Sequence, residues 1–254
     1  MSDKIDLNCD MGESFGTYRL GLDEEVIKHI SSANIACGFH AGGPMWMRRT
    51  VRLAQDHGVA IGAHPSYPDL VGFGRRDMAA TPQEVKDDLV YQIGALQAFT
   101  QSKRLQHVKP HGAMYNRAVE DEQLARAICE AVLEVDPGMV LVALAGSRWV
   151  SIARGMGLRV APEIFADRAL NPDGSLVSRA LPGAVLHDVD EVAERSVRMV
   201  VEGRARAITG EEIDVQAASL CIHGDTPGAV EMAAAIRKGL EAEGVSVVPM
   251  DELV

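Results

Sequence analysis

Four histidines are marked out by their surroundings. His40, His64, His111 and His223 lie in NIACGFHAGGP, AIGAHPSYPDL, QHVKPHGAMYN and LCIHGDTPG, each near the point where an apolar run gives way to a loop rich in Gly or Pro. A fifth segment, DLNCDMGESFG, places Asp10 and Glu13 at the end of the first apolar run, and Lys109 flanks Pro110 on the side opposite His111. Gathered in one place, these imidazoles, carboxylates and the amine suit hydrolytic or ligase-like acid/base chemistry. By the period of two of an extended chain, Asn8 shares a face with Asp10, and Lys109 shares one with His111. A lysine at the end of a buried strand is rarely structural unless paired, and burying so many polar groups without a use for them is costly.

Further polar residues flank these segments. Gly42-Gly43-Pro44 opens a helix after His40, where free N–H groups suit an anion. From His64 to Thr81 the chain has neither helical nor strand periodicity, and loops of that length are usually lids or binding loops. Arg75 and Arg76 in it offer guanidinium forks for a substrate carboxylate, a surface salt bridge being the plainer alternative. Glu163, Asp167 and Arg168 close a later run, as a mutual ion network or as substrate contacts. Asp225 follows His223 across Gly224. Asp10, His40 and His64 also supply the ligand types of a divalent-metal site, although no HExxH-like spacing occurs. Cys9, Cys37, Cys129 and Cys221 show no CxxC spacing, which removes zinc ribbons and thioredoxin-type motifs, and a reducing cytoplasm suits them.

The elements that must position these residues alternate in type. Strands are expected at Ile5 to Cys9, Asn34 to Cys37, Val59 to Ala63, His107 to Lys109, Val140 to Ala143, from Arg159 to Pro162, at Ser219 to Ile222 and at Val245 to Val248, with a short one at Val185 and Leu186. Helices are expected at Asp23 to Ser31, Met45 to His57, Pro82 to Gln101, Asp121 to Glu134, Ser147 to Met156, Val189 to Glu202 and Pro227 to Glu243. Thr81, Pro82 and Glu84 form an N-cap signature for the third helix. Such alternation makes βαβ units with a parallel sheet. Polar motifs follow early, middle and late strands rather than one switch point, which favours a single-domain α/β chain closed as a β/α barrel of seven to eight strands over an open sheet.

Composition narrows the function. The 254 residues carry a formal net charge of -11 and are 47% hydrophobic, enough for one large core. No basic patch offers a surface for nucleic acid or acidic membrane. Neither GxGxxG nor GxxxxGK[ST] occurs, and no apolar run is long enough for a membrane span. The first strand begins close to Met1, which leaves no room for a signal peptide.

The strings DLNCDMGESFG, NIACGFHAGGP, GAHPSYPDLVGFGRRDM, VKPHGAMYN, EIFADRAL and CIHGDTPGA closely resemble the family of A-type 5-oxoprolinase subunits, also called the LamB/YcsF or lactam-utilisation family. The resemblance implies a barrel related to polysaccharide deacetylases and ATP-dependent opening of 5-oxoproline to L-glutamate, together with two further subunits of B and C type. ATP contact by this chain rests on that resemblance alone, and a homo-oligomer is compatible with it. The family usually reads GFHAGDP where this chain has Gly43, so no acidic role at that loop carries over. Two other readings stand beside it: a self-sufficient metal-dependent deacetylase or amidohydrolase, and a non-catalytic subunit that presents the lactam.

Overall fold

The computed structural model describes residues 3–224 and 227–254. Seven parallel strands close on themselves: β1 (Lys4–Met11), β2 (Ser32–Ala36), β3 (Ala60–His64), β4 (His107–Val108), β5 (Val140–Leu144), β6 (Arg159–Phe165) and β9 (Ser219–His223). Closure is made by β1, where Asp6 to Asp10 pair with Ser219 to His223 while Asn8 to Met11 pair with Ser32 to Ile35. Outside the ring run α1 (Asp23–Val26), α2 (Pro44–His57), α3 (Pro82–Gln97), α4 (Gly112–Glu120), α5 (Glu122–Val135), α6 (Arg148–Gly155), α7 (Val189–Val201) and α8 (Ala229–Ala242). An antiparallel hairpin of β7 (Arg204–Arg206) and β8 (Glu212–Asp214) stands apart, and β10 (Ser246–Val247) adds to the N-terminal end of β1.

The strand period of two sorts each strand between two environments. On β1, Leu7, Cys9 and Met11 join the apolar layer between barrel and helices, whereas the alternate residues Asp6, Asn8 and Asp10 enter the polar network inside. Asn34, His107, Glu163, Ser219 and Cys221 enter the same network. Val140, Val142, Ala161 and Met250 form a separate small apolar cluster that Met250 brings in from the C-terminal turn. The barrel interior is therefore mainly polar and pre-paired, the arrangement burial demands of such groups. Gly62 is required by this packing: a Cβ there would stand 2.1 Å from the His107 ring.

Departures from the sequence expectation have local causes. The first helix stops at Val26 instead of Ser31, and the Ser31 hydroxyl is held against β1, donating to Asp6 Oδ1 and accepting from Leu7 N–H, each at 2.8 Å. The third helix ends at Gln97, where Thr100 Oγ1 donates to the Gln97 carbonyl at 3.0 Å. Its start follows the signature: Thr81 Oγ1 accepts from Glu84 N–H, and the Glu84 carboxylate accepts from Thr81 N–H at 2.7 Å. Val185 makes a lone bridge to Arg168 rather than a barrel strand, and β10 lies outside the ring. Helix α4 and the β7–β8 hairpin were not expected. The first begins at a left-handed glycine, Gly112, directly after Pro110 and His111, and the second has strands of three residues each.

Candidate functional site

At the C-terminal ends of the barrel strands opens a cavity of about 630 Å³, lined in part by Asp10, His64, Lys109, His111, Tyr115 and His223. Parallel strands all deliver their loops to this end, which is why residues so far apart in sequence meet there. Arg75, Phe165, Arg168 and Arg179 complete much of its wall.

Lys109 stands at the centre of one half. Its Nζ lies 2.8 Å from Glu163 Oε1, 3.3 Å from Asp10 Oδ1, 3.2 Å from Asn8 Oδ1 and 2.9 Å from Cys221 Sγ, all buried. Burial alone would lower the lysine, but Asp10, Cys221 and Glu163 outweigh it and hold the ammonium well above its ordinary range. Burial would likewise raise Asp10, yet His64 beside it and the Lys109 ammonium keep its carboxyl well below the usual range. Asn8 and Asn34 lock this pair from beneath: Asn34 Nδ2 donates to Asn8 Oδ1 at 2.7 Å and to Asp10 Oδ1 at 2.8 Å. Asn34, in turn, accepts from His107 Nε2 at 2.7 Å.

The other half is a histidine cluster. His64 Nδ1 contacts the Lys109 carbonyl at 2.6 Å and His111 Nε2 contacts the Phe73 carbonyl at 2.9 Å. A carbonyl only accepts, so both of those ring nitrogens carry hydrogen. The remaining nitrogens, His64 Nε2 and His111 Nδ1, face each other at 2.9 Å and must share a proton or a cation. Asp10 Oδ2 lies 3.3 Å from His64 Nε2, and Glu13 Oε1 lies 3.6 Å from His111 Nδ1 and 3.1 Å from His40 Nε2. His40 stacks on His111 with ring centroids 3.9 Å apart. Burial, reinforced by neighbouring imidazoles, drives both of these rings well below the ordinary histidine range, so they are neutral. Gly74 allows the approach; it has φ +64°, and a Cβ there would meet Ser66 Oγ, His40 Cβ and His111 Cδ2 within 3 Å.

Glu13, His40, His64 and His111 present ligand atoms all within 4.8 Å of one another, and His40 Nδ1 has no hydrogen-bond partner. Carbonyl-fixed tautomers aiming two free ring nitrogens at one point are what a small divalent cation requires, so the residues fit one. The sequence trio of Asp10, His40 and His64 is thus only partly reproduced. Glu13 and His111 complete this group, while Asp10 belongs with Cys221 and His223 in a second group. Lys109 Nζ, within 3.3 Å of Asp10 and Cys221, puts an ammonium at that second group.

In that second group, His223 Nδ1 lies 2.9 Å from both oxygens of Asp167, and Arg179 Nη2 donates to His223 Nε2 at 3.0 Å. Since a guanidinium only donates, Nδ1 carries the hydrogen and Nε2 presents its lone pair. Burial would raise Asp167, but His223, which donates to it, and the Arg179 guanidinium hold it below its usual value.

Several sequence expectations need correction. Glu163, Asp167 and Arg168 are drawn to different partners: Glu163 takes Lys109, Asp167 takes His223, and the Arg168 guanidinium donates to the carbonyls of Ala184 and Val177. Glu163 lies within β6, whereas Asp167 and Arg168 are already in the loop beyond it. Arg76 does not reach the cavity. Its guanidinium is tied to Asp69 within its own loop, while Arg75 lies over the Phe73 ring at 4.9 Å and lines the wall. Asn8 lies below the cavity in the barrel interior, and Asp225 lies outside the described residues. Sequence reasoning missed Arg179, Cys221, Asn34, His107 and Tyr115. The alternation on β2 and β9 could have found Asn34 and Cys221, but nothing local distinguishes Arg179.

Fold and site together define a β/α-barrel protein with buried acidic and basic side chains gathered at the C-terminal mouth. The chain belongs to the LamB/YcsF family, whose sequence profile matches residues 5–254. It is 59% identical over 253 residues to the A-type 5-oxoprolinase subunit of Thermococcus onnurineus (strain NA1) and 58% identical to that of Pyrococcus furiosus, with 99% of each chain covered. Among solved structures, the lactam utilization protein of Thermus thermophilus is 51% identical and superposes with a TM-score of 0.91, covering 96% of this chain and 99% of that one. A T48 deacetylase at 14% identity and TM-score 0.51, covering 99% of this chain and 90% of that one, shares the fold. No helix among the described residues is long and apolar enough to cross a membrane.

Proposed function

We propose that this chain is the A-type component of an ATP-dependent 5-oxoprolinase that works with B- and C-type partners and carries the ring-opening acid/base groups. The observation that bears most weight is the buried Lys109 ammonium between Asp10 and Glu163, with the His223–Asp167 pair beside Asp10 in the same cavity. Resonance makes a lactam carbonyl a poor electrophile, and phosphorylation of its oxygen at the expense of ATP, by a partner, relieves that. Water then adds to the ring carbon, its proton passing to His223 Nε2 once Arg179, which donates to that nitrogen in the free site, has turned to the substrate carboxylate. The same proton returns to the ring nitrogen as the C–N bond breaks, leaving a γ-carboxyl phosphate that a second water hydrolyses to glutamate and phosphate. Lys109 stabilises the negative charge that develops, and Arg75, Arg168 and Arg179 hold the substrate carboxylate. Asp10 and Glu13 set the charge on the histidines, and Asn8 and Glu163 fix Lys109 from within.

The cluster of Glu13, His40, His64 and His111 favours a second reading, a metal-dependent amidohydrolase that acts alone. Those residues would hold a divalent ion, which supplies Lewis-acid chemistry when bound. Glutamate release from 5-oxoproline, measured with and without ATP and the two partners after metal analysis of the preparation, separates the two. Release confined to the complete ATP-containing mixture supports the multisubunit reading. A stoichiometric metal with no glutamate from any mixture overturns it in favour of the amidohydrolase.

A further inference from the structure

The lone pair on His223 Nε2 is covered in the free site. Arg179 Nη2 donates to it at 3.0 Å, and this is the only hydrogen bond of that guanidinium among the described residues. The imidazole is fixed without it. Its Nδ1 lies 2.9 Å from both Asp167 oxygens, and the Phe165 ring stacks on it with centroids 5.6 Å apart and an interplanar angle of 15°. Arg179 itself sits on an overhang. Leu181 N–H donates to the Ser178 carbonyl at 2.9 Å, which makes a turn with Arg179 and Ala180 at its tip. Behind that turn the stem is clamped: Val177 N–H donates to the Ala169 carbonyl and Ala169 N–H to the Ala184 carbonyl, each at 3.0 Å. The buried Arg168 guanidinium ties the carbonyls of Val177 and Ala184, and the side chains of Ala169, Val177 and Ala184 form a small apolar cluster. Residues 178–183, by contrast, are all exposed, so the tip can shift while the stem stays in place.

A neutral imidazole is a weak partner for a guanidinium. A carboxylate offers charge-assisted, bidentate bonds that are roughly twice as strong as neutral ones, and that difference is what a ligand needs to move the side chain. The wall invites an anion as well: burial and the charges of Arg179 and Arg75 push the Arg168 guanidinium down to about 10, as three cations sharing one wall would. We infer that Arg179 makes the substrate carboxylate a condition of the chemistry, capping His223 Nε2 until a carboxylate on the lactam draws the guanidinium away. Lactams without that group meet a blocked base, so selection acts on turnover as well as on binding. The inference rests on the reading given above for the role of His223 as base.

The lone pair can be followed directly by nitrogen NMR of the histidine rings in the purified, isotope-labelled chain, with the His223 signals identified by their loss in His223→Gln. A pyridine-type ring nitrogen moves downfield when it loses a hydrogen-bond donor. Saturating 5-oxoproline is expected to move the Nε2 signal downfield. Bound γ-butyrolactam, the same ring without the carboxylate, is expected to leave it in place, with occupancy checked by saturation transfer. Arg179→Met is expected to show the displaced signal with no ligand and to gain nothing from 5-oxoproline; this arm decides the matter if γ-butyrolactam does not bind. Arg179 is exposed, so the substitution spares the fold, which circular dichroism checks. Equal displacement by the two lactams, no displacement by 5-oxoproline, or an Arg179→Met signal at the wild-type position would each overturn the inference. Neither ATP nor a partner enters this measurement, so an absence of glutamate from the complete mixture would overturn the multisubunit reading as a separate result.

Discussion

Lys109→Met removes one charge from a site where two carboxylates depend on it. Met keeps most of the apolar stem, so the change isolates the ammonium. The Nζ atom lies 2.8 Å from Glu163 and 3.3 Å from Asp10, and all three groups are buried. Removing one partner of a buried ion pair costs about 3–5 kcal/mol, because the remaining charge stays in a poorly solvated place. In a chain of this size, roughly 2–4 °C of Tm per kcal/mol turns that into a loss on the order of 10 °C. The pH dependence tests the cause. In the wild type, Asp10 titrates well below its unfolded value, so its stabilisation is present above the unfolded pKa and is lost as pH falls. Without Lys109, the buried carboxylates lose the ammonium that favours their ionised form, so the penalty is largest where they are ionised and shrinks as pH falls toward about 4. Urea unfolding at pH 5 and pH 8 is expected to show the larger deficit at pH 8, and Glu163→Gln added to Lys109→Met to recover part of it. A deficit below about 0.5 kcal/mol, or one equal at the two pH values, would refute the charge argument.

Other outcomes follow from the same geometry. Asp167→Asn replaces an acceptor-only carboxylate with an amide that can also donate, so the His223 tautomer is no longer fixed; glutamate release by the assembled enzyme is expected to fall by about 10²-fold or more, with the fold intact. Burial pushes the Asp6 carboxyl up to about 6, so its contribution is complete below the unfolded value and disappears as pH rises through 6. Asp6→Asn should therefore flatten that part of the pH–stability curve, and an unchanged slope in denaturant titrations would remove Asp6 as its source. Gly62→Ala sets a Cβ 2.1 Å from the His107 ring and is expected to cost at least ~3 kcal/mol by unfolding, the upper part of the usual range for overpacking. Equilibration with zinc, followed by desalting and elemental analysis, should find one ion per wild-type chain and far less on His111→Ala. Equal content in both would exclude the histidine cluster as its holder.

Much of this protein was determined locally. Strand and helix alternation is written in apolar spacing and in caps such as Thr81–Glu84, because backbone hydrogen bonding and amphipathic burial act over a few residues. The position of each histidine at an apolar run's end, and the shared face of Asn8 and Asp10, follow from the same short-range rules. Tertiary structure alone decided which of those groups meet. Lys109 finds Glu163 and Cys221, and His223 finds Asp167 and Arg179, only because closure between β1 and β9 brings every strand end to one mouth. Arg75 and Arg76 are neighbours with equal side chains, yet one faces the cavity and the other is held by Asp69. Their difference depends on the path of a loop whose conformation is fixed by distant packing, including the close passage of Gly74 against His40 and His111. Proton placement among the histidines was decided in the same way, since carbonyls contributed by Lys109 and Phe73 choose which ring nitrogens remain free.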